Sequence, residues 1–122
     1  MYASLCVQNG SKLFATSTDN SYPTKMGNVP ATGSIIAAIL KTYNTKVINL
    51  GKPSKSIFSL ALEKLGTNRY ETITLGDNLV TDIQGAKRNG LDSALILSGK
   101  TNKSTIKNFI FKPNYIYKNL KI

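Results

Sequence analysis

The stretch Thr72-Ile-Thr-Leu-Gly-Asp-Asn-Leu-Val-Thr-Asp-Ile83 decides the fold of this chain. Its first four residues are β-branched or apolar, which is typical of a strand, and Gly76-Asp77-Asn78 follows where that strand should end. Asp82 suits the first turn of a helix, which we expect over Thr81–Asn89. A strand that leads directly into a helix indicates one half of a βαβ unit in a parallel sheet.

The same alternation of strand and helix continues on both sides of this stretch. Upstream, we expect a strand over Val47–Leu50, the turn Gly51-Lys52-Pro53 and a helix that begins at Ser54 or Ser56. Downstream, the pattern predicts the strand Ser93–Leu97, the helix Lys103–Phe109 and the strand Asn114–Tyr117. The sequence from residue 46 onward therefore predicts an α/β fold with a Rossmann-like parallel sheet and right-handed crossovers.

The N-terminal part has a different pattern and indicates a second structural context. We expect strands over Tyr2–Gln8 and Lys12–Thr16, joined by Asn9-Gly10, a dipeptide favoured in tight hairpin turns. The prolines and small polar residues of Asp19–Ala31 indicate a loop, and a helix that Ser34 caps should follow.

Charged residues follow two of the predicted strands, at the sheet edge where open α/β sheets bind ligands. Lys52 should lie near a helix N-terminus, where an anion is favoured. Asp77 and Asp82 are five residues apart across a strand–loop–helix junction and could bind one Mg²⁺ ion. The simpler alternatives are a surface lysine in a loop and a helix-capping Asp82, but they leave Gly76 and Asp77 unexplained.

The composition excludes several kinds of chemistry. The 122 residues include no His, which excludes Ser/His and Cys/His nucleophilic arrangements and favours oxygen-bound Mg²⁺ or Mn²⁺ as any metal. A lone Cys6 cannot form an internal disulfide, and no apolar run approaches the roughly 20 residues of a membrane span. With no basic stretch at the N-terminus, we expect a cytoplasmic protein that does not engage membranes.

The net charge of +10 allows nucleic acid, a membrane surface or phosphate ligands as partners. The alternative is a solvated surface, because the lysines are scattered and only Lys100, Lys103, Lys107 and Lys112 hint at a cluster. No motif of a nucleic-acid-binding fold or of base stacking is present, so a basic nucleic-acid-binding domain is the least favoured of the alternative functions.

Five ordered segments resemble the haloacid dehalogenase-like (HAD-like) hydrolases, in the branch of NagD and the p-nitrophenyl phosphatases. Gly51-Lys52-Pro53 and Gly76–Ala86 resemble the third and fourth core motifs of that family. Phe14–Asp19 is similar to its F-x-A-T-N-P-D segment, Pro30–Ile35 to P-G-x-G-S-I, and Lys112–Ile116 to K-P-D-Y-V.

The resemblance implies a domain organisation and a role for each motif residue. Residues 1–30 would be the C-terminal remnant of an α/β cap domain, and residues 31–122 the C-terminal half of a HAD-like core. Lys52 would neutralise the phosphoryl oxygens, and Asp77 would coordinate Mg²⁺. Asn78 and Asp82 would support the metal's water shell and orient Lys52. The resemblance thus makes Lys52 and Asp82 the candidate catalytic residues. It makes Lys52 and Asn78 the candidate substrate-binding residues. Ser17 and Thr18 depart from the cap segment of the family.

The family's nucleophile, the first Asp of a D-x-D-G segment, has no counterpart, since no two acidic residues here are spaced as D-x-D. By family, we expect Mg²⁺-dependent hydrolysis of a phosphorylated small molecule, with this chain supplying the Lys and metal-binding half of the site and binding Mg²⁺ weakly by itself. The alternative is a truncated, non-catalytic module that acts in protein association. Because the nucleophile's strand lies beside the one that ends at Asp77 in the family, we expect pairing with a missing N-terminal half or self-association.

Overall fold

A computed structural model describes residues 1–97, 101 and 103–120 of the chain, with Lys103 described by its backbone alone. The predicted lysine cluster lies partly outside the described residues, because it includes Lys100. The chain folds into two compact units, Met1–Gly51 and Lys52–Ile122. The units therefore separate later than the predicted boundary between residues 30 and 31, and the assignment of cap and core stays a prediction.

The first unit contains two helices and four short strands. In chain order they are α1 (Tyr2–Gln8), β1 (Leu13–Ala15), β2 (Ser21–Thr24), β3 (Gly27–Pro30), α2 (Thr32–Thr42) and β4 (Val47–Asn49). Strands β1 and β4 pair in parallel, and β2 and β3 form an antiparallel hairpin. The buried apolar side chains of this unit are Val7, Ala15, Ile36 and Ile39.

The prediction of a strand over Tyr2–Gln8 is wrong, because this segment is helix α1. Asn9-Gly10 ends that helix instead of turning a hairpin. Gly10 has a φ of +91°, its N–H donates to the Val7 carbonyl at 3.0 Å, and the Ser11 N–H donates to Cys6 at 3.0 Å. This is the Schellman pattern of a helix C-terminus, which needs the same positive φ as a hairpin turn.

The loop predicted over Asp19–Ala31 is also wrong, because most of it forms the β2–β3 hairpin. Its turn is held by the Thr24 hydroxyl, which donates to the Gly27 carbonyl at 2.7 Å. Ser34 does not cap α2, which begins two residues earlier at Thr32. The Ser34 hydroxyl donates to the Asn20 carbonyl at 2.6 Å instead.

The second unit confirms the α/β fold. It contains α3 (Lys55–Leu65), β5 (Ile73–Gly76), a π-helical turn (Leu79–Gln84), α4 (Gly85–Arg88), β6 (Asp92–Ile96), α5 (Lys103–Asn108) and β7 (Tyr115–Tyr117). The three strands among its described residues form a parallel sheet in the order β5-β6-β7. Strand β4, which the sequence placed in the same alternating series, pairs with β1 in the first unit.

Two apolar clusters stabilise the second unit. One contains Leu79, Ile83 and Leu95, with Ile106 and Phe109 packed against it. The other contains Phe58, Ala86 and Leu91. Neighbouring Gly85 has no room for a side chain, since a Cβ atom there would lie 2.8 Å from the Phe58 ring. No helix in the described part of the chain is both long and apolar enough to cross a membrane.

We expect Leu95→Ala to lower the free energy of unfolding by about 2–5 kcal/mol, because Leu95 is fully buried and its loss leaves a cavity. The matched control is Ile110→Ala, since Ile110 is 88% exposed and its truncation should cost less than about 0.5 kcal/mol. Denaturant unfolding followed by circular dichroism measures both. Equal losses in the two variants would contradict the assignment of the core.

Candidate active site

The candidate site is built around an ion pair between Lys52 and Asp82. The Lys52 ammonium nitrogen lies 2.7 Å from Asp82 Oδ1, although the two residues are 30 positions apart. The Asp82 side chain is 4% exposed and the Lys52 side chain 54% exposed. A buried carboxylate therefore anchors a lysine whose side chain still reaches solvent.

Every oxygen of the Asp82 carboxylate has a partner, as a buried charge requires. Besides the contact of Oδ1 with Lys52, Oδ2 accepts a hydrogen bond from the Asn78 backbone N–H at 3.1 Å. The carboxylate also packs directly on Gly76, where a Cβ atom would overlap it. Gly76 is thus required by close packing, which accounts for a residue that helix capping alone left unexplained.

Asn78 fixes the start of the π-helical turn. Its side-chain oxygen accepts hydrogen bonds from the backbone N–H groups of Val80 at 2.9 Å and Thr81 at 3.2 Å. Its backbone carbonyl accepts from Asp82 at 3.0 Å and from Ile83 at 3.3 Å. The N-cap residue is therefore Asn78, and Asp82 lies in the first turn of the helix, as the capping alternative expected. Single π-helical turns are frequent at functional sites.

Asp77 follows β5 directly and is half-buried. Its backbone carbonyl accepts a hydrogen bond from the Thr101 hydroxyl at 2.6 Å, and Thr101 is 8% exposed. Sequence reasoning missed Thr101, which belongs to none of the recognised motifs. The position of Thr101 soon after β6 could have indicated its contact with Asp77. The neighbouring parallel strands β5 and β6 end at the same sheet edge, so the residues that follow them can meet there.

The structure thus brings three of the four predicted site residues into one hydrogen-bonded group: Lys52, Asn78 and Asp82. Asp77 is adjacent to this group in the chain. The convergence of the Lys52 and Asp77 side chains on one crevice stays a prediction, as do the individual roles of all four residues.

The side-chain oxygen atoms of Asp77, Asn78 and Asp82 suit a hard cation such as Mg²⁺ only in part. Asp77 and Asn78 offer oxygen atoms of the kind that Mg²⁺ prefers, but both oxygens of Asp82 are already engaged. The described residues contain no cluster of three or more metal-ligating side chains. Asp77 fits Mg²⁺ as one ligand of a set that water and residues outside this group must complete.

Comparison with known families agrees with this geometry. The model of the HAD-hydrolase-like family matches residues 49–121, which include Lys52, the Gly76–Asp82 segment and the whole described sheet of the second unit. The chain belongs to this family.

Similar proteins are phosphatases of the predicted branch. The ribonucleotide monophosphatase NagD of Escherichia coli is 37% identical over 115 residues, which are 94% of this chain and 45% of that protein. A thermostable NPPase from Geobacillus stearothermophilus is 40% identical with a TM-score of 0.84, over 95% of this chain and 45% of that one.

A magnesium complex of a glycerol phosphate phosphatase from Mycobacterium tuberculosis is 28% identical with a TM-score of 0.85. The match covers 96% of this chain and 36% of that one. The chain therefore spans less than half the length of the relatives it matches.

We expect Asp82→Ala to accelerate hydrogen exchange at the Asn78 amide, because the variant removes the acceptor of that N–H. Asp82→Asn is the matched control, since it keeps an oxygen in place and should protect the amide better. Exchange followed residue by residue by NMR measures the difference. Equal protection in the two variants would contradict the role of Asp82 in fixing this loop.

Proposed function

We propose that this chain supplies the lysine and metal-binding half of a Mg²⁺-dependent phosphatase site that hydrolyses the monoester of a phosphorylated small molecule. The observation that carries the proposal is the 2.7 Å pair between Lys52 and the buried Asp82, beside the Gly76-Asp77-Asn78 turn. The family assignment and the phosphatases among the relatives support it. A cytoplasmic location is part of the same proposal.

Lys52 is suited to stabilise a phosphoryl group. Its ammonium is held on one side by Asp82, and its side chain is half exposed, so donor capacity is left for phosphoryl oxygens. A preorganised cation of this kind stabilises the charge of a transferring phosphoryl group without having to reorganise. Asp82 acts as the residue that positions Lys52.

Asp77 is the proposed Mg²⁺ ligand, and Asn78 is the proposed polar contact to the substrate or to the metal's water shell. Mg²⁺ would supply positive charge that offsets the negative charge of the phosphate oxygens. Support comes from the oxygen chemistry of the two side chains and from the magnesium complex of the mycobacterial relative. The side-chain oxygen of Asn78 already caps the π-helical turn, so its amide NH₂ is the group we assign to that contact.

The nucleophile must come from residues other than these 122, in which no D-x-D spacing occurs. We propose that the remaining part of the protein provides it on a strand that pairs with β5. In the described sheet β5 lies at an edge, and its Ile73 and Leu75 side chains are 45% and 50% exposed. We further propose that the N-terminal segment belongs to the cap. The separation of the units after Gly51 favours a cap-to-core boundary later than residue 30.

A second candidate function is a non-catalytic module that associates with another polypeptide. The same apolar edge at Ile73 and Leu75 favours it, because such an edge is a template for pairing. The two functions differ in one observable, which is turnover when a D-x-D-G segment is provided. Nucleic-acid binding has no comparable support at this site.

We expect the 122-residue chain alone to leave p-nitrophenyl phosphate unhydrolysed above background, since it has no D-x-D segment whose first aspartate could form an aspartyl-phosphate. Addition of a polypeptide with the N-terminal D-x-D-G half of a relative should restore turnover if the halves dock. Release of p-nitrophenol measures both results. Strong Mg²⁺-dependent turnover by this chain alone that survives Asp77→Ala would overturn the proposal.

In the reconstituted enzyme, we expect Lys52→Ala to lower turnover about 100-fold or more, because the phosphoryl charge loses its fixed counter-charge. Lys64→Ala is the control, since Lys64 is an exposed lysine near the end of α3 and should leave turnover unchanged. A comparable loss in both variants would indicate a general effect of charge.

We expect Mg²⁺ to shift the amide resonances of Gly76–Asp82 and to saturate only in the millimolar range, because one carboxylate makes a weak hard-cation site. Asp77→Asn should remove these shifts. Asp19→Asn, which changes the net charge equally in the first unit, should not. Tight binding that Asp82→Ala abolishes and Asp77→Ala leaves intact would refute the assigned roles.

A further inference from the structure

A second basic site lies in the unit formed by residues 52–122, on residues other than those of the candidate active site. A concavity of about 660 Å³ runs along α3, the turn after it and the end of α4. Four of its lining residues carry a positive charge: Lys55, Arg69, Lys87 and Arg88. None of the described lining residues carries a negative charge. Neither Lys52 nor the Gly76–Asp82 segment contributes to the lining.

Neutral groups, and not carboxylates, hold three of these four cations in place. The Lys87 ammonium donates to the Asn114 side-chain oxygen at 2.5 Å. The Arg88 guanidinium lies over the Phe111 ring and, with the Gln84 amide turned so that its oxygen faces it, donates to that oxygen at 2.6 Å.

Arg69 follows the same pattern. Its guanidinium carbon lies 5.4 Å from the centre of the Tyr70 ring. The nearby carboxylate of Glu71 turns to Asn68 instead, accepting from its backbone N–H at 3.1 Å and its side-chain NH₂ at 2.6 Å.

Within the described residues none of the four cations is paired directly with a carboxylate, in contrast to Lys52 with its partner Asp82. The carboxylate of Asp92 is connected to Lys87 only through the Asn114 side chain, which donates to it at 2.7 Å. Amide oxygens and aromatic rings orient a cation and leave its charge available. Positive charges held around one concavity repel each other, and an anion that binds between them offsets this repulsion. The arrangement is thus suited to a ligand with several negative charges.

The shape of the concavity favours a small molecule over a nucleic-acid strand. Its volume lies within the range of about 300–1,000 Å³ that is usual for small-molecule sites. Single-stranded nucleic acid needs exposed aromatic rings on which bases stack. The aromatic residue among the described lining residues, Phe58, is 7% exposed and belongs to an apolar cluster. The neighbouring Tyr70 ring is exposed, but the Arg69 guanidinium already lies against it.

We propose that this concavity, lined by Lys55, Arg69, Lys87 and Arg88, binds a small polyanion with two or more linked phosphate groups. One phosphate group would leave part of the four positive charges unmatched, whereas a linked di- or triphosphate spans several of them. Arg69 suits the bidentate recognition of phosphate oxygens. Lys55, Lys87 and Arg88 add positive charge, and all three guanidinium nitrogens of Arg88 already contact the Gln84 oxygen. This inference goes beyond the proposed phosphatase function and does not depend on it.

The test is calorimetric titration of the 122-residue chain with inorganic tripolyphosphate at about 0.1 M salt, where exposed charges beyond about 10 Å are screened. We expect one saturable site. Lys55→Gln and Arg69→Gln should each weaken binding several-fold, and together about tenfold or more. Lys87 and Arg88 are left unchanged because their hydrogen bonds also support the fold.

Two matched controls locate the site. Lys118→Gln removes an exposed charge of the same unit outside the concavity, and Lys52→Gln removes the lysine of the candidate active site. Each should change the affinity less than twofold. Equal weakening by Lys118→Gln would mean general charge attraction, and loss of binding in Lys52→Gln would place the anion at the other site. Either result overturns the proposal.

A third arm tests the class of ligand. A mixed-sequence single-stranded oligonucleotide should bind more weakly than tripolyphosphate and should not compete with it stoichiometrically. Tighter oligonucleotide binding that Arg69→Gln abolishes would replace the small polyanion by nucleic acid. Absence of saturable tripolyphosphate binding would refute the site, while leaving the reconstitution of phosphatase turnover unaffected.

Discussion

The burial of one carboxylate, that of Asp82, is the constraint on which the candidate active site depends. A charge at 4% exposure is tolerated only when hydrogen bonds and a counter-charge replace the water it has lost. Lys52 supplies the counter-charge and the Asn78 N–H supplies a hydrogen bond. The missing side chain of Gly76 gives the carboxylate its space. Each of these residues is therefore explained by what Asp82 requires.

The same constraint joins elements that are distant in sequence. The backbone N–H of Asn78 donates to the Asp82 carboxylate, and the side chain of Asn78 caps the π-helical turn. One residue therefore stabilises both the turn that contains Asp82 and the loop around its carboxylate. The turn then contributes Leu79 and Ile83 to the apolar cluster around Leu95. The apolar packing of Leu79 and Ile83 and the polar contacts of Asp82 thus stabilise the same loop conformation.

The sequence predicted the strand, the turn and the helix start around Gly76–Asp82 well and the N-terminal unit poorly, for physical reasons. Gly76, Asp77 and Asp82 follow a strongly β-forming run, and that pattern has few alternative structures. Asn9-Gly10 is ambiguous, because a hairpin turn and a helix C-terminus demand the same positive φ, and tertiary packing decides between them. Residues 21–30 contain little apolar alternation, so the β2–β3 hairpin depends on its turn contacts more than on burial.

Polar contacts between residues far apart in the chain could not be predicted from the sequence either. The hydrogen bond from the Thr101 hydroxyl to the Asp77 carbonyl joins the segments that follow β6 and β5, and no local pattern marks it. The same holds for Asn114, whose side chain joins Lys87, the Ser93 N–H and Asp92 at the start of β6. Such contacts depend on the order β5-β6-β7, which becomes known only once the sheet is assembled.

The lysines and arginines that form the two proposed sites fall into two groups, which differ in the side chains that they contact. Lys52 is paired with a buried carboxylate, so its position is fixed and its charge is partly neutralised before any ligand arrives. Lys87, Arg88 and Arg69 are fixed by amide oxygens and aromatic rings, which leave their charge intact. A site of the first kind suits transient stabilisation of a phosphoryl group, because the carboxylate keeps the lysine in place before the phosphate binds and after it leaves. In a site of the second kind the described residues pair no carboxylate directly with the cations, and this favours a ligand that stays bound.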